Sequence, residues 1–261
     1  MSDDTIQKAA DLLHKAYRTG KACEPVRDLL PEGDVDAAYA VQEINTERRL
    51  ANGARMVGRK IGLTSKLVQK QLGVDRPDFG ILFADMSMPD GEEVETSSLL
   101  APRVEAEITY VLEKDINFEK PTNSEVIDAI AYATPSIEIV DSRIKDWNIK
   151  IQDTVADNAS AVLYVLGNQK IKIENFDGRM CGMVMECQGE PVSVGAGAAC
   201  LGHPINAVRW LAEEMVNRGR PLSAGDVVMS GALGPMVGVE AGQVYEVRIN
   251  GLGSVRTAFA V

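Results

Sequence analysis

The stretch RVEAEITYVL, residues 103–112, decides how the middle of the chain folds. Polar and apolar side chains alternate through its first half, and a period of two belongs to a β-strand, not a helix. The alternation puts Glu105 and Glu107 on one face, with Val104, Ala106 and Ile108 on the other. Two carboxylates side by side repel unless a cation lies between them or one takes a proton. Taken alone, a Glu-x-Glu pair also suits a solvated strand face.

A second acidic residue sharpens the question. Glu138 lies in PSIEIV, residues 135–140, where Ile137, Ile139 and Val140 indicate a largely buried strand. A buried, unpaired carboxylate costs several kcal/mol, so it requires a partner or a metal. Three hard oxygen ligands from two strands suit Mg²⁺ or Mn²⁺, with positions left open for a chelating substrate. A structural ion pair of Glu138 with Arg103 or Arg143 accounts for the same residues, and the pattern alone leaves both open.

Around these strands the texture of the chain changes. Residues 5–19 and 35–52 have helical spacing, with Ala37, Ala38, Val41, Ile44 and Leu50 marking the apolar face of the second and Asp34 as its N-cap. An apolar strand and turn follows over Met56–Thr64, then a short helix over 65–72. From about residue 80, short β-rich segments (ILFADM, VVMSGALG, YEVRI, SVRTAFAV) alternate with turn clusters such as Pro89-Asp90-Gly91. Helices interrupt at 123–133, capped by Asn123 or Ser124, and at 205–218, and Asn250-Gly251 invites a turn between the last two strands. The expectation is an α+β chain with a small helical N-terminal lobe over 1–75 and a β-rich domain over 76–261.

Composition excludes several classes. A net charge of −11 disfavours nucleic acid, since phosphate binding needs clustered Lys and Arg. No run approaches the roughly 20 apolar residues of a membrane helix, and the charged N-terminus lacks a signal-peptide core, which points to the cytoplasm. The four cysteines, Cys23, Cys181, Cys187 and Cys200, form no Cys-x-x-Cys pair and are expected to be buried free thiols. Only two histidines exist, His14 on a helix surface and His203 at a helix start, so zinc is disfavoured. The glycines of VGAGA, residues 194–198, miss dinucleotide spacing, and neither a phosphate-binding loop nor a serine-hydrolase elbow is present.

Seven motifs occur together and in order: RKIGLT (59–64), GVDRPDFG (73–80), PRVEAEI (102–108), SIEIVDS (136–142), VADNAS (155–160), LGHP (201–204) and GDVVMSG (225–231), the last followed by GLGSV (251–255). The set resembles the 2-oxopent-4-enoate (2-hydroxypenta-2,4-dienoate) hydratases and their decarboxylase sisters, within the fumarylacetoacetase-like superfamily. It covers the chain from about residue 35 to its end. The resemblance implies a mixed β-roll wrapped by helices, and a Mg²⁺ or Mn²⁺ ion held by Glu105, Glu107 and Glu138. It places the active-site lysine on Lys60, the aspartate on Asp78 and a small polar residue on Ser160. Local reading is blander: Ile61 and Leu63 argue for partial burial of Lys60, Asp78 suits a turn after Pro77, and Ser160 suits a helix or turn cap.

The activity implied is hydration of 2-hydroxypenta-2,4-dienoate to 4-hydroxy-2-oxopentanoate, in meta-cleavage catabolism of aromatic compounds. The alternative within the family is decarboxylation of 2-oxo-3-hexenedioate (4-oxalocrotonate). Asp78 and the Ser230–Met236 segment look closer to the hydratase pattern. Hydrolysis is disfavoured because no histidine lies between His14 and His203. The family further implies a homo-oligomer, pentamer or decamer, and an association with a neighbouring pathway enzyme. A non-catalytic scaffold would have no use for the intact acidic set.

Overall fold

The computed structural model describes residues 3–261. Two helices in contact open it, α1 (Asp3–Thr19) and α2 (Val35–Ala51); Ala9, Ala10 and Leu13 of the first and Ala37, Ala38 and Val41 of the second are buried in the core. The Asp34 carboxylate accepts from the Ala37 amide at 2.9 Å, satisfying one of the orphan donors of α2 as its sequence position predicts. A third helix, α3 (Lys66–Leu72), starts on Ser65 and stops at Gly73, whose φ of 68° ends it in the left-handed region. Later helices are α4 (Asn123–Ala129), α5 (Ile151–Ala156) and α6 (Pro204–Asn217).

Thirteen strands make two sheets. In chain order they are β1 (Met56–Gly62), β2 (Asp78–Phe83), β3 (Ser87–Met88), β4 (Glu93–Val94), β5 (Arg103–Leu112), β6 (Ile130–Val140) and β7 (Ala161–Leu166). There follow β8 (Gly182–Cys187), β9 (Glu190–Ala196), β10 (Val227–Ala232), β11 (Val237–Gly238), β12 (Val244–Ile249) and β13 (Gly253–Phe259). The eight-stranded sheet runs β2-β1-β10-β5-β6-β7-β3, with β11 also on β5; the five-stranded sheet runs β4-β13-β12-β8-β9. Most pairs are antiparallel, and β1–β10 is parallel. The large sheet is curled. A flat sheet would set β1 and β6, three places apart, about 14 Å from each other, yet Lys60 Nζ on β1 lies 3.0 Å from Glu138 Oε1 on β6. Helices and mixed sheets together are the α+β roll that the sequence resemblance implies.

The helical N-terminus is tied to the roll at several places, among them β2 and α5. Tyr39 of α2 stacks on Phe79 of β2 with ring centroids 4.5 Å apart, and its hydroxyl accepts from the Phe79 amide at 3.3 Å. Gln42 donates to the Phe79 carbonyl at 3.0 Å and to the Val155 carbonyl at 2.9 Å. Strand β1, although N-terminal to residue 75, hydrogen-bonds between β2 and β10 inside the large sheet.

Several expectations need correction. The helix expected over 123–133 ends at Ala129, and Ile130 already begins β6, because pairing with β5 from Leu112 back to Arg103 claims those residues. Its cap is Thr122, not Asn123 or Ser124: the Thr122 hydroxyl accepts from the Glu125 amide while the Glu125 carboxylate accepts from the Thr122 amide at 2.7 Å. The glycines of residues 194–198 close β9 and its turn. Cys181 and Cys200 are buried as expected, whereas Cys23 and Cys187 are only partly so; all four are free.

Gly58 controls the seam that carries Lys60 into place. A Cβ there would sit 1.9 Å from the Val227 carbonyl oxygen across the parallel pair, and backbone cannot move aside as a side chain would. Gly58→Ala is expected to destabilise the fold by about 3 kcal/mol or more, read as a lower urea midpoint with an unchanged m-value.

Candidate metal centre

Strands β5 and β6 build the centre by register alone. Glu105 stands directly opposite Glu138, and Glu107 opposite Ser136, so three carboxylates share one face of one antiparallel pair. Oxygens of Glu105, Glu107 and Glu138 lie within 4.8 Å of one another. Glu107 and Glu138 are fully buried and Glu105 partly so. The rival ion pairs do not form: Arg143 is taken by Asp157, with Nε–Oδ1 at 2.6 Å, and Arg103 stacks on Trp147 with its guanidinium carbon 4.4 Å from the ring centre. Glu138 faces Lys60 instead.

The lysine is no surface residue. Lys60 is 3% exposed, and Asp78, at the start of β2 beside it, is 1% exposed. Four acidic side chains, three of them buried and Glu105 partly so, therefore surround one buried ammonium. Burial works against the Lys60 charge, but Glu138, Asp78, Glu105 and Glu107 outweigh it and raise its pKa. The acids respond the other way. Burial pushes Asp78 up to about 6 against the pull of Lys60. Burial and the neighbouring Glu138 push Glu105 up to about 7, and the same causes lift Glu107 well above the usual carboxylate range. Without a further cation the cluster holds protons that carboxylates ordinarily release.

Hydrogen bonding leaves the same oxygens unused. The Gly231 amide donates to Glu107 Oε2 at 2.8 Å, Glu138 Oε1 meets the Lys60 ammonium at 3.0 Å, and Glu107 Oε1 and Glu138 Oε2 have no partner. Buried oxygens in that state are expensive, and their convergence is what a hard cation with oxygen ligands would relieve. The residues thus fit Mg²⁺ or Mn²⁺ by donor type, by spacing and by charge. Gly231 has a φ of 103°, and a Cβ on it would lie 2.3 Å from Thr64 Oγ1. Nothing in the sequence reading singled it out. The glycine-bounded run GDVVMSGALG was the available signal, since a glycine inside a strand often marks an irregular, close approach.

Ser160 is placed differently. It is buried, and its hydroxyl is also without a partner, but no hydrogen bond joins it to the acidic cluster. It ends a turn in which Asn158, Ala159 and Ser160 all have positive φ, 54°, 51° and 58°. Such a run costs of order 1 kcal/mol or more per residue and persists only where surroundings impose it. Here they do: Asn158 Oδ1 accepts from the Ile81 amide at 2.7 Å and its Nδ2 donates to the Ile81 carbonyl at 3.0 Å, clipping the turn to β2. Asp157, held by Arg143, anchors the other end. The turn therefore rides on the strand that carries Asp78. Neither histidine joins the cluster: His203 Nδ1 caps α6 by accepting from the Ile205 amide at 3.1 Å, and His14 lines a separate 580 Å³ cavity between α1, α2 and β2.

Comparison with known proteins bears on this frame. Residues 53–260 match the model of the fumarylacetoacetate (FAA) hydrolase C-terminal region. The chain belongs to the fumarylacetoacetate hydrolase family. Within that family it is 59% identical to the TodF product hydratase of Pseudomonas putida, over 98% of this chain and 95% of that one. It is 56% identical to the 2-keto-4-pentenoate hydratase of Paraburkholderia xenovorans, over 99% and 96%. Among solved structures, the 4-oxalocrotonate decarboxylase of Pseudomonas putida G7, complexed with magnesium and adipate, superposes with a TM-score of 0.95 at 36% identity, covering 99% of this chain and 98% of that one. The family match spans β1 to β13, so it includes every strand of the acidic centre.

The raised carboxyl pKa values fix a sign. From the ordinary values of 3.8 and 4.5 up to about 6 and 7, the folded protein holds protons that the unfolded chain has released, so these groups lower stability as pH rises through that window. Mg²⁺ is therefore expected to raise the melting temperature more at pH 8 than at pH 5. Glu107→Gln should remove that magnesium-dependent shift while leaving the metal-free protein at least as stable as the parent. Scanning calorimetry of both proteins at the two pH values, with and without Mg²⁺, checks both outcomes.

Proposed function

We propose that this chain is a divalent-metal-dependent hydro-lyase that adds water to 2-hydroxypenta-2,4-dienoate, the enol of 2-keto-4-pentenoate, giving 4-hydroxy-2-oxopentanoate. The observation that carries the reading is the convergence of oxygens of Glu105, Glu107 and Glu138 within 4.8 Å of one another, beside the buried Lys60. Full-length similarity to hydratases at 59% and 56% supports hydration over the 36% likeness to a decarboxylase. Glu105, Glu107 and Glu138 would hold Mg²⁺ or Mn²⁺, which when bound supplies Lewis-acid polarisation of the substrate's C2 oxygen.

The rest of the chemistry falls to side chains of this chain. Lys60, kept charged by its acidic neighbours, sets a fixed positive charge against the negative charge that develops on the C2 oxygen. Asp78 carries the proton. Its pKa, pushed up to about 6 by burial, lets it both hold and release one near neutral pH. Protonation at C5, with loss of the enol proton, turns the dienol into an α,β-unsaturated ketone. The oxygen of a water then bonds to C4, one of its protons is lost, and C3 takes a proton, so one water is added overall. The buried Ser160 hydroxyl, free of other partners, orients that water. No covalent bond to the protein is required.

The same reading extends to assembly as a homo-oligomer, pentamer or decamer, acting in the cytoplasm and associating with a neighbouring pathway enzyme. Val184 and Val194, paired across β8 and β9, are 36% and 62% exposed, with Val192 at 40% beside them on the outermost strand of the small sheet. An apolar sheet edge of this kind suits burial against another copy. No helix of the described residues is long and apolar enough to cross a membrane.

The deciding experiment mixes purified protein with freshly generated dienoate, with and without a chelator. Metal-dependent formation of 4-hydroxy-2-oxopentanoate is expected; carbon dioxide release from 2-oxo-3-hexenedioate, with no hydration, would favour the decarboxylase instead. Asp78→Asn should lower kcat about 100-fold or more while magnesium affinity by calorimetry stays within a factor of about three.

A further inference from the structure

Away from the acidic centre, a cavity of 580 Å³ opens between the N-terminal helices and the far end of β2. Neither Lys60, Asp78 nor any of the three glutamates lines it. That volume falls in the range of small-molecule sites, which are mostly apolar with a few placed polar groups. The lining has this character. Leu13, Phe83, Ala156 and Ala161 are buried, whereas Arg18 and Arg55 are exposed, so the hollow is apolar within and basic at its rim.

The charges around it do not balance. Four arginines and two aspartates line the cavity, and both acids are already taken. Asp85 holds Arg49 through bonds of 2.6 and 2.7 Å, and Asp157 holds Arg143 at 2.6 Å. Among the described residues, the guanidinium groups of Arg18 and Arg55 have no hydrogen-bond or ion-pair partner. Thr46, only 3% exposed, lines the same space with an unbonded hydroxyl. Burial, with Arg48 and Arg18, holds His14 below its ordinary value, so its imidazole is neutral near pH 7 and adds no charge. Two unpaired cations and an unmet buried hydroxyl around an apolar hollow are complementary to an anion with an apolar body.

We propose that this cavity is a second ligand site, for an organic acid with an apolar body and one carboxylate, and that its occupancy tightens the turn bearing Ser160. The coupling follows from two lining side chains. Gln42 donates to the carbonyl of Phe79, the neighbour of Asp78, and Asn158 clips the Ser160 turn to Ile81 of β2. That turn holds three consecutive residues at positive φ, a conformation that lasts only while its surroundings impose it. A molecule packed against Gln42 and Asn158 adds to those constraints. The carboxylate goes to Arg18 and Arg55 at the rim, and the apolar body to Leu13, Phe83 and Ala161.

Naphthalene-2-carboxylate is the probe and its amide the neutral control, each titrated by calorimetry into the full chain with chelator present, so that no metal recruits the acid. The acid should bind saturably. The amide should bind about 10-fold more weakly or worse, and so should the acid to a variant carrying both Arg18→Met and Arg55→Met. At ten times its Kd, the acid should slow hydrogen exchange in peptides spanning 78–83 and 157–161 by about 10-fold, with 103–112 unchanged. No saturable binding below about 5 mM overturns the site. Equal binding of the amide, or equal binding of the acid to the double variant, overturns it too. Binding without that local slowing, or with equal slowing of 103–112, overturns the coupling. Neither readout involves turnover, so a failed dienoate assay bears on the hydratase reading alone.

Discussion

Everything at the centre follows from like-charge crowding that the fold enforces. Antiparallel pairing of β5 with β6 sets Glu105 opposite Glu138, and the period of two adds Glu107 to the same face. The chain tolerates the crowding by three means: one buried ammonium, one backbone donor at Gly231, and protons retained above the usual carboxylate range. Each is partial, and a hard dication completes them. The curl of the large sheet belongs to the same account, because only a curled sheet brings β1 across the interior to β6.

The periodic parts of this arrangement were legible in the sequence. Glu105 and Glu107 could be assigned to one face from six residues, and the burial of Glu138 from its apolar neighbours. Helices α1, α2 and α6 and the Asn250-Gly251 turn followed from spacing and caps. What spacing could not supply was anything fixed by distant pairing. Its apolar neighbours indicate only partial burial of Lys60, and the full burial comes from β10 on one side and β2 on the other. Asp78 looks like a turn residue until it begins a strand that α2 clamps. The helix–strand boundary at Ala129–Ile130 went the same way, since local helical preference there loses to ten residues of ladder with β5. The partner chosen by Glu138 was legible least of all: Arg143 is near it in sequence and Arg103 lies on the strand next to it, yet Lys60 is its partner in space.

The N-terminal helices also have a chemical consequence. Tyr39 and Gln42 both grip Phe79, the residue next to Asp78. The Asn158 side chain holds the other end of the same strand through Ile81. Asp78 and the Ser160 turn are thus carried by one strand fixed at two points and keep a common frame of reference. The helical segment, which adds no side chain to the acidic cluster, sets the position of the strand that carries Asp78.

The parallel seam between β1 and β10 has an implication for biosynthesis. Gly58 pairs with Val227, so nearly the whole polypeptide must leave the ribosome before the strand bearing Lys60 finds its inner neighbour. The β5–β6 ladder, closed by a much shorter connection, can form far earlier, and would then expose its three glutamates with no ammonium beside them. During that interval the nascent sheet is an open acidic trough, and its retained protons or a passing cation are the only balance available until the last third of the protein arrives.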